Sequence, residues 1–194
     1  MGDTSQNIHF RYGLNDWEEL RKLVLTGTYD AFGLLRKSYR NTVEISEFAN
    51  DILRHGDFAV YPVESIIRHG AAVRVEKQPD ATALLEETVH TIRKWQQDGY
   101  ETIPVICREE KETAELVEQL KSYMEIVDCN PGTTEFGDGV MVLSVAYTKG
   151  LEFDAVLLYD PTQKKYPADN GHVKLLYVAA TRALHELVVL YHGN

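Results

Sequence analysis

Val140-Met141-Val142-Leu143-Ser144-Val145 and Ala155-Val156-Leu157-Leu158-Tyr159 are the two runs whose reading decides the fold. Each is short and almost wholly apolar, without the in-and-out alternation of a strand that has one wet face. Such runs suit the strands of a parallel sheet covered on both sides. Working outward, comparable runs occur at Ile103–Cys107, Ile126–Cys129 and Leu187–Tyr191.

Helical patterns lie between these runs. Asn15 and Glu18 form a capping box for a short helix near the start, and an extended stretch runs from Phe32 to Tyr39. Asn41 with Glu44 can cap a second helix whose apolar face is Ile45, Phe48, Ala49, Ile52 and Leu53. Pro79-Asp80 opens a third, with Leu84, Leu85, Val89, Ile92 and Trp95 inward. A fourth carries Ala114, Leu116, Val117, Leu120 and Tyr123, and a fifth runs through Val173–Ala183. Loops are expected at about 64–72, 130–139 and 160–171, where Asn130-Pro131-Gly132 and Gly137-Asp138-Gly139 are turn signals. The expectation is an α/β fold with three layers, its mainly parallel sheet covered by helices on both faces.

Composition bounds the function. At 194 residues the chain is one domain long, and its 44% hydrophobic and 26% charged residues are ordinary for a soluble globular protein. With 30 acidic against 20 basic residues, the net charge is −10, which disfavours a surface that clings to phosphates everywhere but permits a local basic groove. No apolar run is long enough to span a membrane and no signal peptide is legible, so the expected compartment is the cytoplasm and no membrane partner is expected. Cys107 and Cys129 end apolar runs and read as buried small hydrophobes rather than zinc ligands; no metal site is expected. His55, His69 and His90 lack metal spacing and read as surface residues, and Glu109-Glu110-Lys111-Glu112 reads as a solvated helix start. No GxxxxGK[ST] phosphate-cradling loop occurs, so the chain lacks what an autonomous P-loop ATPase needs.

Four segments carry a family resemblance. Leu175-Leu176-Tyr177-Val178-Ala179-Ala180-Thr181-Arg182-Ala183 resembles the sixth motif of superfamily 1 helicases of the UvrD/Rep type. Lys149-Gly150-Leu151-Glu152-Phe153-Asp154 resembles the fifth, Leu35–Thr42 the fourth, and Gly2-Asp3-Thr4-Ser5-Gln6-Asn7-Ile8 the third. All four stand in family order. The Gln6-Asn7-Ile8-His9 wording, and the short interval of about sixteen residues at 124–139, lean toward helicase IV and the polymerase-associated motor HelD.

The resemblance implies the second RecA-like motor domain of an ATP-dependent DNA helicase or translocase. Residues 1–24 would be a tail carrying the third motif and a connector helix, and residues 25–194 the motor domain. It assigns Arg182 and Arg40 to the γ-phosphate, with Arg182 as arginine finger, and Gln6 as a sensor there. Tyr39 would stack on adenine, Glu152 would accept a bond from the ribose, and Lys149 and Gly150, which hold the same loop, complete the implied ATP-binding set. The chemistry is reasonable on its own terms, because phosphoryl transfer depends on neutralising γ-phosphate charge and guanidinium groups do this bidentately. Arg182 is placed on the fifth helix, and its replacement by Ala is expected to leave folding intact. ATP and Mg2+ are the implied cofactors, with the magnesium ligands on an absent first RecA-like domain, the principal implied partner.

Ser144 and Arg108 are the candidate contacts to single-stranded DNA. On that side the sequence departs from the family. Ala146 stands where a histidine is usual, Arg11 where a base-stacking aromatic is usual, and Gly171-His172 replace an acidic pair. The alternative implied function is an interaction module of a HelD-like factor that remodels RNA polymerase with little or no unwinding.

Overall fold

The computed structural model describes residues 37–38, 40–57, 64–65, 68–127, 129 and 137–193. The tail at 1–24 with its expected helix, and the candidates Gln6 and Tyr39, lie outside the described residues.

The sheet is parallel and helix-covered, as expected. Strands β3 (Arg74–Gln78), β4 (Thr102–Cys107), β5 (Gly139–Ser144), β6 (Phe153–Tyr159) and β7 (Ala183–His192) are all parallel, in the order β3-β7-β6-β4-β5. A separate two-stranded parallel pair joins β1 (Lys37–Ser38) to β2 (Glu64–Ser65). Among the described residues, four helices cover the main sheet: α1 (Val43–Leu53), α2 (Ala81–Gln97), α3 (Glu110–Leu120) and α4 (Asn170–Ala180). None is long and apolar enough to cross a membrane.

Alternate residues of each central strand serve opposite cores. Ile106, Met141, Leu143, Val156, Leu158, Leu187 and Val189 pack with α1 and α4. Val105, Val140, Val142, Leu157, Val188 and Leu190 pack with α2 and α3, through Leu84, Ile92, Trp95, Leu116 and Leu120. A strand apolar at every position can fill two cores at once, which is why these runs carry no alternation. Each fully buried Leu, Ile or Val stabilises the fold by roughly 1.5–3 kcal/mol. This is a three-layer, RecA-like α/β architecture without a P-loop.

Local chemistry explains the boundaries. Asp80 caps α2 by accepting from the Ala83 N–H at 2.9 Å, and Asp169 caps α4 through the Gly171 and His172 N–H groups, both at 3.0 Å. The ladder between β4 and β6 pairs only from Val105, directly after Pro104, which has no N–H to donate. Between β5 and β6 the chain returns to the other end of the sheet through a single 3-10 turn, Val145–Thr148. Gly150 then turns at φ 84°, a left-handed conformation that favours glycine.

Several boundaries differ from the sequence expectation. Thr42, not Asn41, caps α1, its Oγ1 accepting from the Ile45 N–H. Of the strand expected at 126–129, the described residues Ile126, Val127 and Cys129 lie in none; Ile126 makes a lone bridge to Val140. The helix expected through Ala183 ends at Ala180, so Arg182 sits in the turn before β7. Tyr123 lies beyond the end of α3 and is exposed. Strand β3 carries no legible signal, because its apolar residue Val75 points outward while Arg74 and Glu76 are the more buried positions. Arg74 is ion-paired there with Glu87 of α2 at 3.1 Å and Glu76 at 3.3 Å, and charges on an edge strand discourage further pairing.

Candidate functional site

Three of the candidate nucleotide contacts meet at the amino ends of β6 and β7. Arg40 lies just before the capped start of α1, and Glu152 just before β6; their side chains form an ion pair at 2.6 Å, 41% and 35% exposed. Helix starts present N–H groups that favour anions, so Arg40 lies beside a second source of positive potential. Lys149 and Gly150 are exposed on the loop leading to Glu152.

Arg182 is different in kind. It is 1% exposed. Its Nε donates to the Val178 carbonyl at 3.0 Å, one terminal nitrogen to the Leu151 carbonyl at 3.0 Å, and the other to Thr181 Oγ1 at 3.3 Å. Because Leu151 directly precedes Glu152, Arg182 holds the backbone from which Glu152 projects. Arg40, Glu152 and Arg182 are therefore mechanically joined, and of these three Arg40 and Glu152 are the ones open to solvent.

Asn41 ties in the remaining strand of chain. Its Nδ2 donates to the Thr181 carbonyl at 3.2 Å and also to the Ala183 carbonyl. Beside it, Glu44 of α1 accepts from His69 Nδ1 and the Gly70 N–H, both at 2.9 Å. Those bonds, His69 first, lower the Glu44 pKa to about 2. The start of α1 is thereby fastened to both the turn before β7 and the segment 68–70.

Ser144 and Arg108 stand at the opposite end. Cys107 and Ser144 are register partners at the carboxyl ends of β4 and β5, and Arg108 follows immediately. Ser144 is buried on a half-open groove of about 490 Å3 between α3 and β5, lined also by Thr113, Val117, Lys121, Cys129 and Tyr147. Arg108 lies 3.6 Å from Glu109, and its N–H donates to Glu112 at 3.1 Å. Glu112 is thus not the solvated helix-start acid expected; Lys165 joins it, at 3.2 Å, to buried Asp160 at 2.8 Å. Asp160, at φ 52°, also accepts from the His192 N–H and Nδ1. Burial opposes charge on Lys165, but Asp160 and Glu112 together keep its pKa above the ordinary value. Cys107 beneath them is a buried thiol as expected, its pKa pushed up to about 12 by burial. His55, His69 and His90 are exposed, as expected.

Residues 139–190 match the model of the UvrD-like helicase C-terminal domain. The chain is also similar to the solved C-terminal domain of a possible DNA helicase from Lactobacillus plantarum WCFS1. That similarity has a TM-score of 0.67 and 26% identity, and covers 81% of this chain and 89% of that one. A fainter likeness, TM-score 0.39 at 15% identity over 81% of this chain and 23% of the other, is to the PRRSV helicase. No curated protein matches the chain.

The UvrD-like segment runs from β5 through most of β7, and so contains Ser144, Lys149, Gly150, Glu152 and Arg182. Arg40, Asn41 and Arg108 lie outside it; Arg40 is joined to it through Glu152, and Asn41 through Thr181 and Ala183. The sequence signal missed Asn41, which reads as a helix cap because Asn commonly is one. It missed Asp160 and Lys165 as well, since they sit in an expected loop.

Proposed function

We propose that the chain is the second motor domain of an ATP-dependent DNA helicase or translocase, contributing half of a nucleotide site shared with a first RecA-like domain. One observation carries the reading: Arg40, Glu152 and Arg182, from three separate segments, converge at one end of the sheet. The donor set suits a nucleotide. Arg40 offers a planar, partly exposed guanidinium to terminal phosphate oxygens, and Glu152 offers a carboxylate to a ribose hydroxyl. In that reading nucleotide entry breaks the Arg40–Glu152 pair, at little cost because it is an exposed one. Arg182 supports the Glu152 backbone and turns toward phosphate only if its bonds to Val178 and Leu151 are exchanged. The magnesium ligands and the water-activating acid belong to the other domain.

The test is ATP turnover measured on this chain alone and on the full-length protein. The chain alone should hydrolyse no ATP, whereas the full-length protein should turn over. Hydrolysis by the pure chain would overturn the half-site reading.

A second reading has its own observation. Ser144 is buried, Arg108 lies beside Glu109, and exposed Ala146 occupies the place of a usual histidine, so the end expected to meet single-stranded DNA is poorly equipped for it. A motor with weakened track contact would suit an ATP-driven factor that remodels RNA polymerase. DNA binding that tracks ATPase stimulation and weakens steeply with salt supports the helicase; polymerase capture without it supports the remodeller.

A further inference from the structure

We infer that Asn41 is a positioning residue for the proposed reaction: it sets where Arg40 stands relative to the turn that carries Arg182. The inference rests on the proposed nucleotide site. Asn41 is buried, and its amide nitrogen reaches the carbonyls of Thr181 and Ala183, the two residues that flank Arg182. Arg40 is its immediate neighbour in the chain.

The position demands this side chain. Strand β7 begins at Ala183, but β3 pairs only with Val188–His192, so no described strand runs beside the first half of β7 on that side. Asn41 and the segment 68–70 cover it instead. A Cβ at Gly70 would come within 3.1 Å of the His185 carbonyl, which marks how closely that segment approaches. A primary amide can donate two N–H groups, enough for both carbonyls. The aspartate side chain has no N–H and would bring a carboxylate beside Arg40 in addition to Glu152. Serine can donate once.

The second anchor of this segment is independent of Asn41. Val43 donates to the Arg68 carbonyl at 2.9 Å and Glu44 holds Gly70, so α1 stays docked when the Asn41 amide is lost. What loosens is the stretch directly before α1, where Arg40 lies. Asn41 therefore acts through Arg40, and its removal should lower the rate of the chemical step rather than nucleotide affinity.

The experiment measures ATPase kcat and KM of the full-length protein for wild type, Asn41→Ala, Arg40→Ala and the double variant, with kcat normalised to folded protein. In the wild-type background Asn41→Ala should lower kcat at least tenfold while KM for ATP changes less than threefold. In the Arg40→Ala background the same change should cost less than twofold. Equal losses in the two backgrounds, or no loss in the first, overturn the inference. Should Asn41→Ala fail to fold, Asn41→Ser carries the same cycle, with a smaller kcat loss that again must vanish without Arg40. An inactive wild type removes the nucleotide-site reading itself; an active wild type with an unaffected Asn41→Ala removes only the role of Asn41.

Discussion

Two arginines implied for the same phosphate have opposite environments, and this separates their effects. Arg40 is exposed and paired with one surface carboxylate, an arrangement worth about 0–1 kcal/mol. Its replacement by Ala should leave the melting temperature within a degree or two and lower full-length ATP turnover by roughly a thousandfold. Arg182 donates from a buried site to Val178, Leu151 and Thr181, so its loss takes one donor from Val178, whose carbonyl keeps Thr181 Oγ1, and removes the donor to the Leu151 carbonyl. Arg182→Ala should cost about 3 kcal/mol in stability and lower turnover as well. In a domain of this size that is a fall of roughly 6–12 °C in thermal melting. The expectation from sequence, that this variant folds normally, is thereby revised. A motif shows that an arginine is wanted, but not whether its guanidinium faces solvent or its own backbone.

At the scale of elements, the central strands were legible because burial on both faces writes itself as uninterrupted apolar runs. Helices α1 and α2 were legible because each buries one face. What stayed hidden was held by polar contacts with partners distant in sequence. β3 is secured by Arg74 reaching Glu87, and the cap of α1 moved by one residue because Asn41 is engaged with Thr181 and Ala183. The candidate site was legible as motifs on separate segments; that Arg40 touches Glu152, and that Arg182 holds Leu151, required the fold. The clamp between α1 and the segment 68–70 makes a prediction at this scale. Glu44 has its pKa lowered from 4.5 to about 2 in the folded chain, so its stabilising contribution is complete above about pH 4.5 and is lost as pH falls toward 2. Glu44→Gln should therefore melt lower than wild type near neutral pH, and the two melting curves should converge as the pH approaches 2. A gap that persists unchanged at pH 2 would show that the carboxylate is not what fastens the clamp.

At the scale of the whole sheet, the proposed nucleotide contacts and the Lys165 bridge stand at opposite ends. The connection from β4 through α3 leads outward to β5, whereas that from β6 through α4 leads the other way to β7. A crevice at the carboxyl ends of β4 and β6 follows from that reversal, and in open α/β sheets such crevices commonly take ligands. Here Lys165 spans it, bonded to Asp160 from β6 and Glu112 from α3, while Asp160 also fastens the end of β7 through His192. The end with Arg40 and Glu152 is by contrast joined by an exposed pair that a ligand can displace. Lys165→Met tests this division. It leaves Asp160 and Glu112 facing one another without the intervening ammonium, at a cost of about 2 kcal/mol, or roughly 4–8 °C in melting. Full-length kcat for ATP should stay within twofold of wild type, because nothing at the Arg40 end depends on this bridge. Thermal melting, with ATPase assayed on the same samples, reads both effects. A Lys165→Met protein that melts normally but loses turnover would reverse the assignment, making the carboxyl-end crevice the reactive one.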